Sequence, residues 1–245
     1  MSERPQTRVG RTGRKAVVTS AYSRPQVRVA PGVYAPQQDS ELLIEAMETT
    51  GAAPGRPVAD LCTGSGVLAL SAATLGAASV RAFDLSPAAV RCARANAAAA
   101  GVRVDVHLGS WARAAEFGPF GLVVCNPPYV PYDPAANEDE SIADVGDSTA
   151  WDAGRDGRLV LDPLCATAAS LLDEDGILLL VHSEFAGLDQ SVSALRQTGL
   201  SAEIVAEQHI PFGPVLSARG AWLEQIGLLD RGRRVERLGV IKAQR

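Results

Sequence analysis

Short apolar runs alternate with longer amphipathic stretches along most of this chain, and the two periods predict different elements. Val58-Ala-Asp-Leu-Cys62, Val80-Arg-Ala-Phe83 and Gly121-Leu-Val-Val-Cys125 read as buried strands, and residues 103–108, 176–182 and 201–210 as three more. Helical patterns lie between them. One runs from an N-cap at Asp39-Ser40 to about Thr49, one from the glycines after Cys62 to about Leu75, and one from Ser86-Pro87 to Ala100, where the serine caps and the proline fits the first turn. Further helices are expected up to about Leu172, over 186–198 and over 216–228, and residues 236–242 close the sheet as a last, antiparallel edge strand. Strands that alternate with helices predict an α/β fold, with a doubly wound, mostly parallel seven-stranded sheet.

Length and composition bound this picture. The chain has 245 residues, 47% of them hydrophobic, which suits one α/β domain plus tails. Residues 1–28 carry seven Lys/Arg against Glu3 alone, a charge of +6 within a total of −5, so the remainder is −5 − 6 = −11. Residues 1–31 are therefore expected to be a basic, disordered tail with nonspecific affinity for RNA at most, and residues 32–245 the folded domain. Residues 133–150 hold six acids and no base, and predict a loop over the site. Cys62, Cys92, Cys125 and Cys165 stand singly in apolar segments, as reduced core thiols do in a cytoplasmic protein, and no apolar run is long enough to cross a membrane.

The chemistry concentrates in two places. Asn126-Pro-Pro-Tyr129 follows a buried strand, at the sheet edge where open α/β folds bind ligands. Two prolines stiffen the turn, so the Asn126 amide and the Pro127 carbonyl stand as fixed acceptors. Such a pair localises the lone pair of a planar amino group, which is otherwise a poor nucleophile, and the Tyr129 ring holds that group in line. Upstream, Gly64-x-Gly66-x-x-Ala69 follows a strand, and Asp84 ends the next one. This spacing also fits a dinucleotide site, but Asp60 ahead of the loop opposes a pyrophosphate and favours a cationic ligand.

Gly32-Val-Tyr-Ala-Pro-Gln-Gln-Asp-Ser40, Asp60-Leu-Cys-Thr-Gly-Ser-Gly66, Asn126-Pro-Pro-Tyr-Val-Pro131 and Trp151-Asp-Ala-Gly-Arg-Asp-Gly-Arg158 together resemble the HemK family of class I, Rossmann-like methyltransferases. The resemblance implies S-adenosyl-L-methionine as cofactor and the glutamine of a Gly-Gly-Gln motif in a translation release factor as methyl acceptor. It implies catalytic roles for Asn126, Pro127 and Tyr129. Cofactor contacts fall to Ser40, Asp60, Thr63, Gly64, Gly66, Asp84, Leu85, Ser110, Trp111 and Asn126, with the ammonium near Asp60 and the ribose on Asp84. Only about 30 residues precede the Tyr34 motif, which is similar to the short branch of the family, whose members work with a small zinc-binding activator subunit. The chain departs from the family pattern at Cys62, often glycine there, and at Ser110-Trp111, where an Asp often precedes the adenine contact.

Two other readings stand beside this one. N6-adenine or N2-guanine methylation of RNA or DNA uses the same Asn-Pro-Pro-Tyr chemistry, and a noncatalytic scaffold keeps the same fold; the acidic body and the retained motifs weigh against them. His107, His182 and His209 are read as structural, and no metal set is expected.

Overall fold

A computed structural model of the chain describes residues 25–132 and 152–245. The expected acidic loop and most of the basic tail lie outside the described residues. Seven strands form one sheet: β1 (Pro57–Leu61), β2 (Ser79–Asp84), β3 (Asp105–Leu108), β4 (Phe120–Cys125), β5 (Leu172–Ser183), β6 (Ser201–Pro211) and β7 (Val235–Gln244). Their order is β3-β2-β1-β4-β5-β7-β6, with β7 antiparallel to both neighbours and all other pairs parallel.

Helices cover both faces. On one side lie α1 (Gln38–Thr50), α2 (Val67–Thr74) and α3 (Pro87–Ala100); on the other α4 (Trp111–Ala114), α5 (Leu161–Leu171) and α6 (Leu188–Gln197). β4 shows why the central strands are apolar at every position. Leu122 and Val124 pack into the first layer, Val123 and Cys125 into the second, so both faces are dry. Each large side chain buried this way, such as Leu43 or Met47 on α1, contributes about 1.5–3 kcal/mol relative to exposure.

Three expectations change. The last strand is not an edge: β7 inserts between β5 and β6. Its Leu238, Val240, Ile241 and Ala243 are fully buried, whereas β6 exposes Glu203, Val205, Glu207 and Gln208 and takes the edge that β7 is too apolar to hold. Asp39 and Ser40 are not caps, because α1 begins at Gln38 and both side chains turn inward, each 3% exposed. The chain also joins the body before residue 32. Val27 packs on the first core layer, and Asn96 of α3 brackets the Arg28 backbone with bonds of 3.0 and 2.8 Å.

The topology positions the site. After β3 the chain crosses β2 and β1 to add β4 on the far side of β1, so β1 and β4 stay paired to their last residues while the connections leaving them turn to opposite faces and leave a crevice at the carboxyl ends. Here α7 (Pro214–Gln225), inserted between β6 and β7, closes one side.

Candidate active site

At the end of β1 the chain turns sharply into α2. Asp60 is fully buried; its Oδ2 accepts from Thr63 Oγ1 (2.6 Å) and Ala69 N–H (3.0 Å), and its Oδ1 has no partner. Burial pushes its carboxyl up to about 7, against the lowering effect of those two bonds. Cys62 follows in the left-handed region at φ 58°, a conformation that favours glycine. Gly66 begins α2 at φ 86°, and a Cβ there would meet Ala93 of α3 at 3.1 Å, so this glycine permits helix–helix contact. Asp84 ends β2 and accepts from Gly64 N–H (2.9 Å) and Ser86 N–H (2.8 Å), which pins the loop between the two strand ends. Burial raises its pKa as well.

The crevice contains a cavity of about 480 Å³, within the range of small-molecule sites. Of the residues expected to contact the cofactor, Gly64, Asp84, Leu85, Ser110, Trp111 and Asn126 line it. Ser40, Asp60, Thr63 and Gly66 do not: they stand behind the wall as its supports. Ser110 caps α4 by accepting from Ala112 N–H, while its O–H stays available to a ligand. Cys62, Tyr34 and Val160 are also part of the wall, and among the described residues no lysine or arginine lines the cavity. That lining suits S-adenosylmethionine, which has no phosphate: Asp84 retains lone pairs for ribose hydroxyls, Trp111 offers a flat apolar face, and the negative potential of Asp60 lies under the loop. A dinucleotide would bring its pyrophosphate beside the Asp84 carboxylate, with buried Asp60 behind the loop and no compensating cation on the wall.

A second cavity, of about 70 Å³, opens on the far side of Asn126 and is lined by Asn126, Pro127 and Tyr129 together with Tyr34, Asp39, Glu236 and the start of α7. All three predicted catalytic residues thus share one chamber, and Asn126 and Tyr34 stand between the two cavities. The Tyr34 and Tyr129 hydroxyls both donate to Asp39 Oδ2 at 3.1 Å. Burial, reinforced by the Asp39 charge, raises both phenol pKa values, so both remain donors. Asn126 Nδ2 donates to Ser40 Oγ at 3.3 Å, which leaves Oδ1 to accept from a ligand. Glu236 at the start of β7 is 5% exposed, and burial pushes its carboxyl up to about 7.

The segment from residue 152 onward locks this chamber. Tyr132 N–H donates to Gly154 O and Ala153 N–H to Val130 O, so residues 152–154 pair in parallel with residues 130–132, just after the Asn-Pro-Pro-Tyr turn. Gly157, at φ 75°, lies so close that a Cβ would overlap the Tyr129 carbonyl oxygen. Buried Arg158 ties the segment to the carbonyls of Ala186 and Gly187, and Arg219 of α7 binds both Pro131 O and Asp152. The Trp151–Arg158 motif, read from sequence as helix entry or site shaping, shapes the site over its described part.

Sequence reasoning missed Tyr34, Asp39 and Glu236 as site residues. The Gly-Val-Tyr-x-Pro signature marks the first; the others are acids in helix and strand patterns whose inward turn only packing reveals. None of the three histidines lines either cavity. His107 stacks between Phe83 and Phe117, His182 is buried, held neutral with its pKa pushed down to about 4, and His209 is exposed on β6. Among the described residues no cluster of His, Cys, Asp or Glu is arranged for a metal ion, and no helix is long and apolar enough to cross a membrane.

Comparison with known proteins agrees with this architecture. Residues 25–141 match the family model described as methyltransferase small domain. The chain is 33% identical to the release factor glutamine methyltransferase of Mycolicibacterium smegmatis over 202 residues, 81% of this chain and 70% of that protein. It is 34% identical over 165 residues to a 4-amino-L-phenylalanine/4-methylamino-L-phenylalanine methyltransferase of Streptomyces pristinaespiralis, over 64% of this chain and 56% of that one. The fold resembles that of a chain in the E. cuniculi Mtq2–Trm112 complex, described as responsible for methylation of the eRF1 translation termination factor, with TM-score 0.58, 21% identity and coverage of 87% of this chain and 99% of that one. Motif, topology and relatives converge: the chain belongs to the HemK family of class I methyltransferases.

Proposed function

We propose that this protein methylates the side-chain amide nitrogen of a glutamine, in the Gly-Gly-Gln motif of a translation release factor. The observation that carries the reading is the placement of Asn126 between the two cavities, its Nδ2 turned to Ser40 and its Oδ1 left as acceptor. S-adenosylmethionine, when bound, supplies an electrophilic methyl group on a sulfonium. Asp84 holds the ribose, Leu85, Ser110 and Trp111 the adenine, and the Cys62–Gly64 backbone, braced by Asp60 and Thr63, the methionine end. Asp60 acts on the ammonium through its charge from beneath the loop.

On the acceptor side, Asn126 Oδ1 and the Pro127 carbonyl each take one N–H of the carboxamide. This localises the nitrogen lone pair and aims it across the boundary between the cavities, while Tyr34 and Tyr129 bound the planar group. Positioning of this kind supplies most of the rate. Two glycines before the glutamine let an extended segment enter a narrow chamber, whereas a nucleobase brings a broad ring and flanking phosphates to an acidic body. A second reading, methylation of an aromatic amine, draws on the Streptomyces relative, since such an amine has the same delocalised lone pair.

Two finer expectations belong here. The protein acts in the cytoplasm where release factors work, and a small zinc-binding subunit assists it. The near-complete overlap with a chain that forms a complex with Trm112 supports the last. Purified enzyme, with and without a co-expressed activator, is incubated with release factor, total RNA and 4-aminophenylalanine, and the products are examined by mass spectrometry. One added methyl group on the Gly-Gly-Gln peptide is expected. Methylation of adenine, guanine or the arylamine, with none on the peptide, rejects this reading.

A further inference from the structure

The two orientations of the Asn126 amide differ only by exchange of Oδ1 and Nδ2, which are nearly equal in size, so packing alone does not choose between them. The choice falls to Ser40, whose hydroxyl has one proton and accepts or donates according to where that proton is held. The Ser40 hydroxyl donates to Asp39 Oδ1 at 3.2 Å, and Ser40 N–H donates to the same oxygen at 2.6 Å. Tyr34 and Tyr129 donate to Oδ2. Four donors converge on a carboxylate that has none to give. The Ser40 proton is thereby committed, only a lone pair faces Asn126, and Nδ2 turns toward it.

We infer that Asp39 is a positioning residue for methyl transfer: through the Ser40 hydroxyl it fixes the Asn126 amide with Oδ1 toward the acceptor, and through its second oxygen it holds the Tyr34 and Tyr129 rings in place. The inference rests on the proposed amide-methylating reading of the same site. It also accounts for a carboxylate that is 3% exposed in the first turn of α1, where an exposed acid would serve the helix equally well.

The relay makes an unusual prediction. In Asp39→Asn the new amide can donate to Ser40 Oγ, which frees the Ser40 proton to donate to Asn126 Oδ1. The Asn126 amide then flips and presents N–H groups to an acceptor that also presents N–H groups. Turnover should fall about 10²-fold, the scale for losing one positioned hydrogen-bonding group. Ser40→Ala removes the selector without installing the wrong one, so its loss should be smaller, about tenfold, because the amide then samples both orientations. Adding Ser40→Ala to Asp39→Asn should therefore raise turnover above that of Asp39→Asn alone. A merely structural role for the pair predicts the reverse, a double variant no better than its worse parent.

The test measures kcat and KM for a Gly-Gly-Gln peptide, S-adenosylmethionine affinity by calorimetric titration, and Tm, for wild type, both single variants and the double. Rescue of kcat in the double, with cofactor affinity within a few-fold throughout, supports the relay. A double at or below Asp39→Asn, or single variants with wild-type kcat, overturns it. If Asp39→Asn does not fold, Ser40→Ala and Ser40→Cys decide: lowered kcat at unchanged cofactor affinity and Tm supports the relay, and wild-type kcat in both rejects it. Failure of the wild-type enzyme to methylate the peptide would instead count against the proposed acceptor, so the two failures are distinct.

Discussion

The two cavities that meet at Asn126 are built by different means. The side proposed for the cofactor is assembled from short stretches of contiguous chain at the ends of adjacent parallel strands: the turn after β1, Asp84-Leu85 after β2, and Gly109 to Trp111 after β3. Much of its polar framework is backbone, with Gly64 and Ser86 N–H on Asp84 and Ala69 N–H on Asp60. The side proposed for the acceptor draws side chains from five separate places, Tyr34 before α1, Asp39 within it, Asn126 and Tyr129 after β4, the start of α7, and Glu236 on β7. A strand-end and glycine-loop framework serves any ligand of one shape. A chamber made of side chains from remote segments can change its acceptor without disturbing that framework, which fits the presence of an arylamine methyltransferase among the relatives.

This contrast predicts that substitutions should separate into those that strike turnover and those that strike cofactor binding. The largest effect is expected at the boundary: Asn126→Ala should lower kcat by roughly 10²–10³ with S-adenosylmethionine affinity within a few-fold of wild type. Near-normal turnover would move the chemistry elsewhere and end the comparison. Gly157→Ala comes next, because its Cβ collides with the Tyr129 carbonyl and φ 75° strains any side chain. Displacing that carbonyl by a fraction of an ångström should cost about tenfold to a hundredfold in kcat, again with cofactor affinity preserved, as parallel kinetics and titration would show.

On the other side, Asp84→Ala should weaken S-adenosylmethionine by about 1–3 kcal/mol, and also loosen the Gly64 loop that it pins. Unchanged affinity in a folded variant would remove Asp84 from the site. The Asp60 carboxyl adds a pH dependence. Its pKa in the ligand-free protein is about 7, above its ordinary value of 3.8, so folding favours the protonated form. The stability it contributes is present below about pH 4 and is lost as pH rises through about 7. Glu236, raised from 4.5 to about 7, acts in the same direction. Denaturation of the ligand-free protein should therefore become easier from pH 5 to 8. A bound ammonium favours ionised Asp60, so cofactor affinity should rise by about tenfold from pH 6 to 8, and Asp60→Asn should flatten that rise.

The smallest effect is expected at Cys62. Cys62→Gly removes a left-handed strain of about 1–3 kcal/mol, partly offset by the entropy of glycine, for a net gain of about 1 kcal/mol in stability. It also clears the cavity wall, so affinity should improve by no more than a few-fold. A lower Tm in this variant would show that the Cys62 side chain packs usefully against its neighbours and that strain is the lesser term.

Much of the cofactor side was legible in the chain because its determinants are local. An apolar run, an acid and a glycine turn specify a strand end without reference to the rest of the molecule, and the order of such units makes a parallel sheet the only economical packing. Ser86-Pro87 at the start of α3 is such a local signal, and the structure places cap and proline as expected, with Ser86 Oγ accepting from Ala89 N–H. The acceptor side was legible only as far as its Asn-Pro-Pro-Tyr turn. Asp39-Ser40 read as a cap, because a short polar pair before an apolar-periodic run has that form, and only the arrival of Tyr34, Tyr129 and Asn126 from elsewhere makes it worthwhile to bury both. β7 read as an edge because it comes last. Its burial on both faces is a property of β5 and β6 beside it, not of its own pattern. The sequence by itself determined the strand and helix units, the parallel core and the cofactor turn, since these follow from periodicity and backbone geometry within a few residues. The place of β7, the inward turn of Asp39 and the orientation of Asn126 were decided only by the tertiary structure, because each depends on which distant donors and apolar surfaces arrive at the same point.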